Sequence, residues 1–166
     1  AAPTMNITNT QATKGVLETP LDGNLRAFGN MFDVKALNHL RITSLHLHVS
    51  IASMIQVKIW TKPDELTSNG TKWEDLCTTT ILGQGHTKLT EVSLDTSTCS
   101  MIKYSRGPMV VIEQGKMQSF YITLTARPHL VYTRGTQLES VYFSNDDLQI
   151  REGMALVRPY FRGYFK

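Results

Sequence analysis

The sequence predicts an all-β protein: a single antiparallel β-sandwich, jelly-roll-like, with an extended N-terminal arm. Apolar and polar residues alternate with a period of two in many short runs, which is typical of half-buried strands. Turns rich in Gly, Asn and Pro separate these runs, and no amphipathic helix of useful length interrupts them. The 166 residues fit one domain. Folding of a chain of this size buries roughly 70% of the surface that the unfolded chain exposes, which is enough for one apolar core.

Residues 1–14 form the polar arm, which is rich in Thr and Asn. Composition alone predicts disorder there. If it is ordered, its own sheet edge, a glycan or a neighbouring molecule must hold it. The β-sandwich domain is predicted over residues 15–166, and it starts with a short strand at Gly15–Thr19 that Pro20 ends.

The clearest strand signal lies between Gly29 and Trp60, where three alternating runs follow one another. The connections at Asn38-His39 and Ala52-Ser53 are short enough for antiparallel hairpins. The inward parity changes around Thr43-Ser44, which predicts a β-bulge or a change of sheet. The side chains expected to share the inward faces are Phe32, Val34, Ala36, Leu45, Leu47, Val49, Ile51, Ile55, Val57 and Ile59.

The second half of the chain is expected to continue in short strands. A hairpin is expected around Gln114-Gly115, with Phe120, Ile122 and Leu124 facing inward. An aromatic strand, broken by Pro159 and Gly163, ends the chain. The expected strands are Trp73–Ile81, Leu89–Leu94, Met109–Ile112, Met117–Thr125, Leu130–Tyr132, Val141–Phe143, Leu148–Ile150 and Met154–Lys166.

The charge pattern speaks against nucleic acid as a partner. The formal net charge is +3, with eight Lys/Arg against nine Asp/Glu in residues 1–100 and nine against five in residues 101–166. The tail interleaves Arg158, Arg162 and Lys166 with aromatic residues, as in single-strand binding platforms. An edge strand protected by charge is the simpler interpretation. No run approaches the roughly 18 apolar residues that span a bilayer, so no membrane insertion is expected.

Several features predict secretion to the extracellular space or the cell surface. The chain starts at Ala1 without an initiator Met, which fits a removed leader; a chain trimmed by design is the alternative. Sequons at Asn6 and Asn69 lie in polar, turn-rich stretches where a glycan is tolerated. Cys77 and Cys99 belong to no CxxC pair. We expect them to form a disulfide, whose loop closure contributes about 3 kcal/mol.

Two constellations resemble metal sites. His46 and His48 point to the same face of one strand, and a third ligand among His39, His86 and His129 would complete a zinc site. Solvent-facing histidines are the favoured interpretation, and exposed imidazoles titrate near pH 6.5.

Asp146 and Asp147 follow Ser144-Asn145 and offer oxygen ligands for calcium. The EF-hand spacing is absent, and a turn capped by Asn and Asp side chains explains these residues equally well. No cofactor is otherwise expected.

Trp60 and Trp73 are the candidate glycan contacts, because aromatic rings stack on sugars. Trp60 shares its strand face with Gln56 and Lys58, which predicts that it lies outside the core. The alternative is that both tryptophans pack near the ends of the sandwich, and this is favoured for Trp73.

No motif for catalysis is present. A G-x-S-x-G elbow and a Gly-rich phosphate loop are both missing from the sequence. The carboxylate pairs Asp64-Glu65 and Glu74-Asp75 lie in or beside a polar loop, where surface acids are the default. We therefore expect that the protein is not an enzyme; a small hydrolase with an unrecognised site is the weaker alternative.

The chain resembles small secreted β-domains that occur singly or in tandem in large extracellular proteins of marine microalgae such as diatoms. The resemblance covers about Gly15–Lys166 and implies a cell-surface or matrix role, without catalytic residues to transfer. It is carried by Gly29–Val34 with Ala36, Ile42–Leu45, Val57 and Ile59–Lys62, Phe120–Leu124 and Ser144–Leu148.

The sequence thus predicts a non-enzymatic, glycosylated extracellular protein. It would self-associate into a surface or matrix assembly, such as a filament, with the arm 1–14 contacting a neighbouring subunit by strand addition. The alternative is a carbohydrate-binding, lectin-like module with an exposed Trp60.

Overall fold

The structure is a computed structural model that describes residues 4–9, 14–19, 21–100 and 110–161. Within these ranges the regular structure consists of thirteen strands and no helix, which confirms the predicted all-β class. The strands are β1 (Thr4–Asn9), β2 (Lys14–Leu17), β3 (Leu25–Ala27), β4 (Gly29–Ala36), β5 (Leu40–Leu47), β6 (Met54–Pro63), β7 (Glu74–Leu82), β8 (Thr90–Ser93), β9 (Val110–Ile112), β10 (Met117–Leu124), β11 (Leu130–Tyr132), β12 (Val141–Ser144) and β13 (Leu148–Leu156).

The first sheet is built around β5. Its order is β2-β1-β5-β8, and β9 pairs with β5 as well; every pair is antiparallel. Of the arm expected over residues 1–14, Thr4–Asn9 therefore lies between β2 and β5 of its own chain. Residues 1–3 and 10–13 lie outside the described residues.

The second sheet has six antiparallel strands in the order β12-β13-β4-β10-β6-β7, and β11 and β3 form a small third sheet. The inward faces of the first two sheets pack into one apolar core, as expected for a sandwich. That core contains the side chains predicted to face inward, including Phe32, Val34, Leu45, Leu47, Val49, Val57, Ile59, Phe120, Ile122 and Leu124.

Several consecutive strands lie in different large sheets. β4 and β6 lie in the second sheet and β5 in the first, so the hairpins expected at Asn38-His39 and Ala52-Ser53 are wrong. The turn at Gly115 exists, with a φ of 80°, but it joins β9 in the first sheet to β10 in the second. Alternation reveals which face of a strand is buried, and it does not reveal which strand lies beside it.

Two irregularities shape the strands. Asn6 pairs with Ser44 and Ile7 with Ile42, so Thr43 is the extra residue of a bulge, which confirms the predicted irregularity. At the other end of the chain, β13 runs without a break from Leu148 to Leu156. The separate terminal strand expected from Met154 is thus wrong, and residues 162–166 lie outside the described residues.

Cys77 of β7 and Cys99 form the predicted disulfide, with a Cα–Cα distance of 4.8 Å. It fixes the segment after β8 against β7, where the Ser100 amide also donates to the Thr78 carbonyl. A persistent disulfide indicates an oxidising compartment outside the cytosol. In the described part of the chain, no helix is long and apolar enough to cross a membrane.

The outer face of the second sheet is also buried. Met31, Trp60, Tyr121 and Leu156 form a second apolar cluster on that face. The loop after β6 and the segment after β13 cover it, because Leu66, Trp73 and Phe161 pack against the cluster. This sheet is therefore enclosed on both sides over part of its area, and the strand pattern of β4 is buried at nearly every position.

Candidate functional site

A cleft of about 190 Å³ opens beside the register shift between β13 and β4. Its lining combines residues of both strands with residues of β11, of the loop after it and of β12. The residues that line it are Asn30, Met31, Phe32, Tyr132, Thr133, Arg134, Gly135, Tyr142, Arg151, Glu152, Gly153, Met154 and Ala155.

The bulge itself is encoded by a glycine. Arg151 pairs with Asp33 and Met154 with Met31, so three steps along β13 match two steps along β4. At Gly153 a Cβ atom would collide with the carbonyl oxygen of Met31. Only glycine lets the two backbones approach this closely, and the cleft depends on that approach.

Glu152 holds the loop that forms one wall of the cleft. Its Oε2 accepts hydrogen bonds from the Thr136 amide at 2.7 Å and the Gln137 amide at 2.8 Å. Its Oε1 accepts from the Thr136 hydroxyl at 3.2 Å. The Gln137 and Thr136 amides lower the pKa of the Glu152 carboxyl, so this carboxylate is ionised and committed to the loop.

Two guanidinium groups contribute positive charge to the cleft. Arg134 is exposed and Arg151 is half-buried. The ion pairs among the described residues are His46–Glu91 and Lys58–Asp75, and neither includes these arginines. The Nε atom of Arg151 is buried and has no hydrogen-bond partner.

Two phenol rings, Tyr132 and Tyr142, add aromatic surface to the same cleft. Both side chains are half-buried. Desolvation, with the negative charges of Asp22 and Glu152, raises the pKa of the Tyr142 hydroxyl, which is therefore a neutral donor and acceptor at physiological pH. The cleft thus offers rings, hydroxyls and two cations within one small volume.

The expectation that Trp60 is exposed is wrong. Trp60 is only 8% exposed, because it stacks on Tyr121 at 4.9 Å and packs on Phe161 at 5.0 Å. Trp73 is half-buried and packs against the same two rings, so both tryptophans belong to the cluster on the outer face of the second sheet. Neither tryptophan lines the cleft.

A buried polar row crosses the outer face of the second sheet. Asp33 accepts from the Ser119 hydroxyl at 2.6 Å and from the Leu66 amide at 3.0 Å. Lys62 donates to the carbonyls of Leu66 and Ser68 at 3.0 and 2.8 Å. Asp33, Ser119 and Lys62 are each at most 3% exposed, so this row fastens the loop after β6 and is closed to a substrate.

His46 and His48, predicted as metal ligands, lie in separate environments, and of the candidate third ligands His86 contacts His48. His46 is 3.8 Å from the Glu91 carboxylate. The ring of His48 meets that of His86 edge to face, and desolvation lowers the pKa of His48. His129 contacts Ser50. Among the described residues, no group of three His, Cys, Asp or Glu side chains is placed to hold a metal ion.

Asp146 and Asp147 lie in a turn, which agrees with the alternative to a calcium site. The Asn145 Oδ1 atom accepts from the amides of Asp147 and Leu148. The Asn38 amide group donates to the Asp147 carboxylate and to the Asp146 carbonyl. These contacts account for the side chains of Asn145 and Asp147 as parts of the turn.

Among the remaining candidates, Asn69, Asp64, Glu74 and Asp75 are exposed. Asn69 is exposed in the loop after β6, and Asn6 belongs to β1, with its side chain outside the described part of the chain. Glu74 and Asp75 begin β7, where Asp75 pairs with Lys58 at 3.3 Å. Asp64-Glu65 and Glu74-Asp75 line no part of the cleft.

Sequence reasoning missed the residues that the cleft brings together. Tyr132, Arg134, Tyr142 and Arg151 come from separate elements, and each alone is an unremarkable surface residue. The available signal was Gly153 within a strand-like run, which points to a bulge or a close backbone approach. No protein-family model matches the chain, and no curated protein or solved structure is significantly similar to it.

Proposed function

We propose that this chain is a non-enzymatic extracellular β-sandwich protein that self-associates into a surface or matrix assembly. The disulfide supports an oxidising location. The observation that carries the proposal is that β12 and one half of β7, at the two edges of the second sheet, contain no charged residue and are accompanied by exposed apolar side chains. The resemblance to extracellular domains of marine microalgae points the same way and stays a prediction.

One outer strand of that sheet, and half of the other, lack the charges that normally prevent edge-to-edge pairing. β12 (Val141–Ser144) contains no charged residue, and neither does the half of β7 from Thr78 to Leu82. Exposed apolar side chains accompany both edges: Met54 and Leu82 at 62% and 53%, and Leu138 and Val141 at 41% and 49%. Met54 and Leu82 are cross-strand partners, so they form one patch.

A second copy of the chain supplies the complementary edge. Pairing β12 of one copy with residues 79–82 of β7 in the next continues the sheet and buries the two apolar patches. The contact is confined to this end of β7, because the Thr78 carbonyl already accepts from the Ser100 amide of its own chain. Because the two edges differ, the contact is head-to-tail, and such contacts generate open filaments when the rotation does not close.

The sequence predicts that the N-terminal segment contacts a neighbouring copy, and the proposal differs on this point. Since Thr4–Asn9 pairs with β5 of its own chain, contact with a neighbour through this segment requires an exchange of strands between copies. We therefore assign self-association to the edges of the second sheet.

The test introduces a charge at each edge. We expect Leu82→Lys and Val141→Lys to raise the dissociation constant for assembly at least about tenfold, since the lysine must be desolvated in the contact. Val111→Lys is the matched control, because Val111 is 45% exposed in the other large sheet. Sedimentation velocity over a wide concentration range measures the assembly.

The proposal fails if the wild-type protein stays monomeric at high concentration. It also fails if Val111→Lys disrupts assembly as much as the two edge variants do. Far-ultraviolet circular dichroism and thermal melting of each variant establish that the monomer is folded.

A second candidate function is carbohydrate binding, which the cleft favours. Aromatic rings beside polar groups are the usual lining of small-molecule sites. In this proposal the cleft between β13, β12 and the loop after β11 replaces Trp60 as the contact surface. Binding of a monosaccharide in an NMR titration, abolished by Tyr142→Ala, would test it.

A further inference from the structure

We propose that the cleft binds a single sugar ring that carries an anionic group, either a carboxylate or a sulfate. This inference rests on the second candidate function, carbohydrate binding, and specifies its ligand class.

The size of the cleft limits the ligand to one ring. Its volume is about 190 Å³, and an apolar cavity of roughly 150 Å³ accommodates benzene. A six-membered sugar ring with its substituents is of this size, whereas a folded oligosaccharide or a nucleotide is larger. Longer glycans would therefore be recognised through one unit.

The lining suits the mixed polarity of a sugar. Met154 and Ala155 offer apolar surface, and Tyr132 and Tyr142 add aromatic rings with hydroxyl groups. A sugar presents C–H groups on its faces and hydroxyls around its rim, so both kinds of surface are matched.

The charges in the cleft select an anion. Arg134 and Arg151 form none of the ion pairs among the described residues. Glu152 also lines the cleft, so two arginines and one carboxylate give the lining a net charge of +1. The Glu152 carboxylate is directed at the loop, where it accepts three hydrogen bonds from Thr136 and Gln137. Asp33, the ladder partner of Arg151, accepts from Ser119 and Leu66. Asp22 accepts from the Thr133 hydroxyl at 3.2 Å. Guanidinium groups match the geometry of carboxylate and sulfate oxygens and bind them in a bidentate manner.

The experiment compares three probes by isothermal titration calorimetry: methyl glucuronide, glucose 6-sulfate and methyl glucoside. We expect at least one of the two anionic probes to bind at least about tenfold more tightly than the neutral glucoside, because hydrogen bonds to charged groups are the stronger ones. Raising the salt concentration should weaken binding of the anionic probe. The two anionic arms distinguish a carboxylate ligand from a sulfate ligand.

Arg134→Gln is the principal variant, since Arg134 is exposed and its replacement leaves the fold intact. We expect it to weaken binding of the preferred anionic probe at least about tenfold. Arg127→Gln, at another exposed arginine, is the matched control and should bind as the wild type does. Arg151→Gln serves as a second variant if thermal melting shows that it is folded.

The outcomes distinguish the claim that the ligand is anionic from the claim that the cleft binds a carbohydrate. Equal binding of the neutral and anionic sugars would overturn the anionic ligand and leave carbohydrate binding standing. An absence of binding by all three probes would overturn both. If Arg127→Gln weakens binding as much as Arg134→Gln, the ligand is held elsewhere by general charge and the assignment to this cleft is wrong.

Discussion

Asp33 and Asp95 are aspartates whose pKa values shift in opposite directions for identifiable reasons. Asp33 is 1% exposed, and desolvation raises its pKa above 3.8 although Ser119 and Leu66 donate to it. Asp95 is fully exposed, and hydrogen bonds from Ser97 and Thr98 lower its pKa below 3.8. The two residues must therefore contribute to stability with opposite dependence on pH.

We predict that Asp33→Asn changes how the free energy of unfolding depends on pH. A raised pKa means that the contribution of Asp33 is fully present below pH 3.8 and is lost as the pH rises through the folded-state value. The stability of the wild type relative to Asp33→Asn should therefore fall as the pH rises above 3.8. Urea unfolding at a series of pH values measures this difference.

Asp95→Asn provides a control of opposite sign. A lowered pKa gives stability that is present above pH 3.8 and lost as the pH falls through the folded-state value. The stability of the wild type relative to Asp95→Asn should therefore fall on acidification. The same slope for both variants would contradict the burial of Asp33 as the cause.

A second prediction at the scale of the residue concerns Gly153. Gly153→Ala should lower the free energy of unfolding by about 2–3 kcal/mol, because the added Cβ meets the Met31 carbonyl and forces β13 away from β4. Gly70→Ala is the matched control, since no atom lies within 4 Å of the added Cβ there. Urea unfolding of both variants checks the prediction, and equal stabilities would contradict it.

At the scale of the element, the loop after β6 behaves as a covering layer on the second sheet. Leu66 and Trp73 pack on the cluster formed by Met31, Trp60 and Tyr121. Polar contacts fix the backbone of the loop, since Asp33 accepts from the Leu66 amide while Lys62 donates to the Leu66 carbonyl. The packing and hydrogen bonds of this loop therefore stabilise the folded state, although its sequence is polar and rich in turn residues.

We predict that Lys62→Met loosens this loop. The carbonyls of Leu66 and Ser68 lose their donor, which should cost about 1–3 kcal/mol in the free energy of unfolding. Amide hydrogen exchange should also become faster in the loop after β6 while β10 stays protected. Lys72→Met, at an exposed position of the same loop, should change neither quantity. An unchanged exchange rate in Lys62→Met would show that apolar packing alone holds the loop.

At the scale of the whole molecule, the chain crosses repeatedly between two sheets. β4, β5 and β6 alternate between the second and the first sheet, as do β9 and β10. This topology leaves β7 and β12 at the two edges of one sheet and exposes the apolar residues there. The proposed assembly is thus a consequence of where the chain enters and leaves the sheet.

The cleft is likewise a property of the whole molecule. Arg151 and Glu152 come from β13, Tyr142 from β12, and Tyr132 from β11, which pairs with β3 in a separate sheet. These residues meet only after three elements have docked. Their spacing in the sequence matches no motif, so the sequence alone predicts Trp60 as the contact residue instead.

The sequence by itself determined the all-β class, the inward faces of β4, β5, β6 and β10, an irregularity around Thr43-Ser44 and the pairing of the two cysteines. Alternation and turn chemistry are local, so they can be read from neighbouring residues. Only the tertiary structure decided which strands pair, that Trp60 is buried, and that two arginines and two tyrosines share a cleft. Those outcomes depend on contacts between distant segments, and a period of two distinguishes the two faces of a strand without naming what will cover each of them.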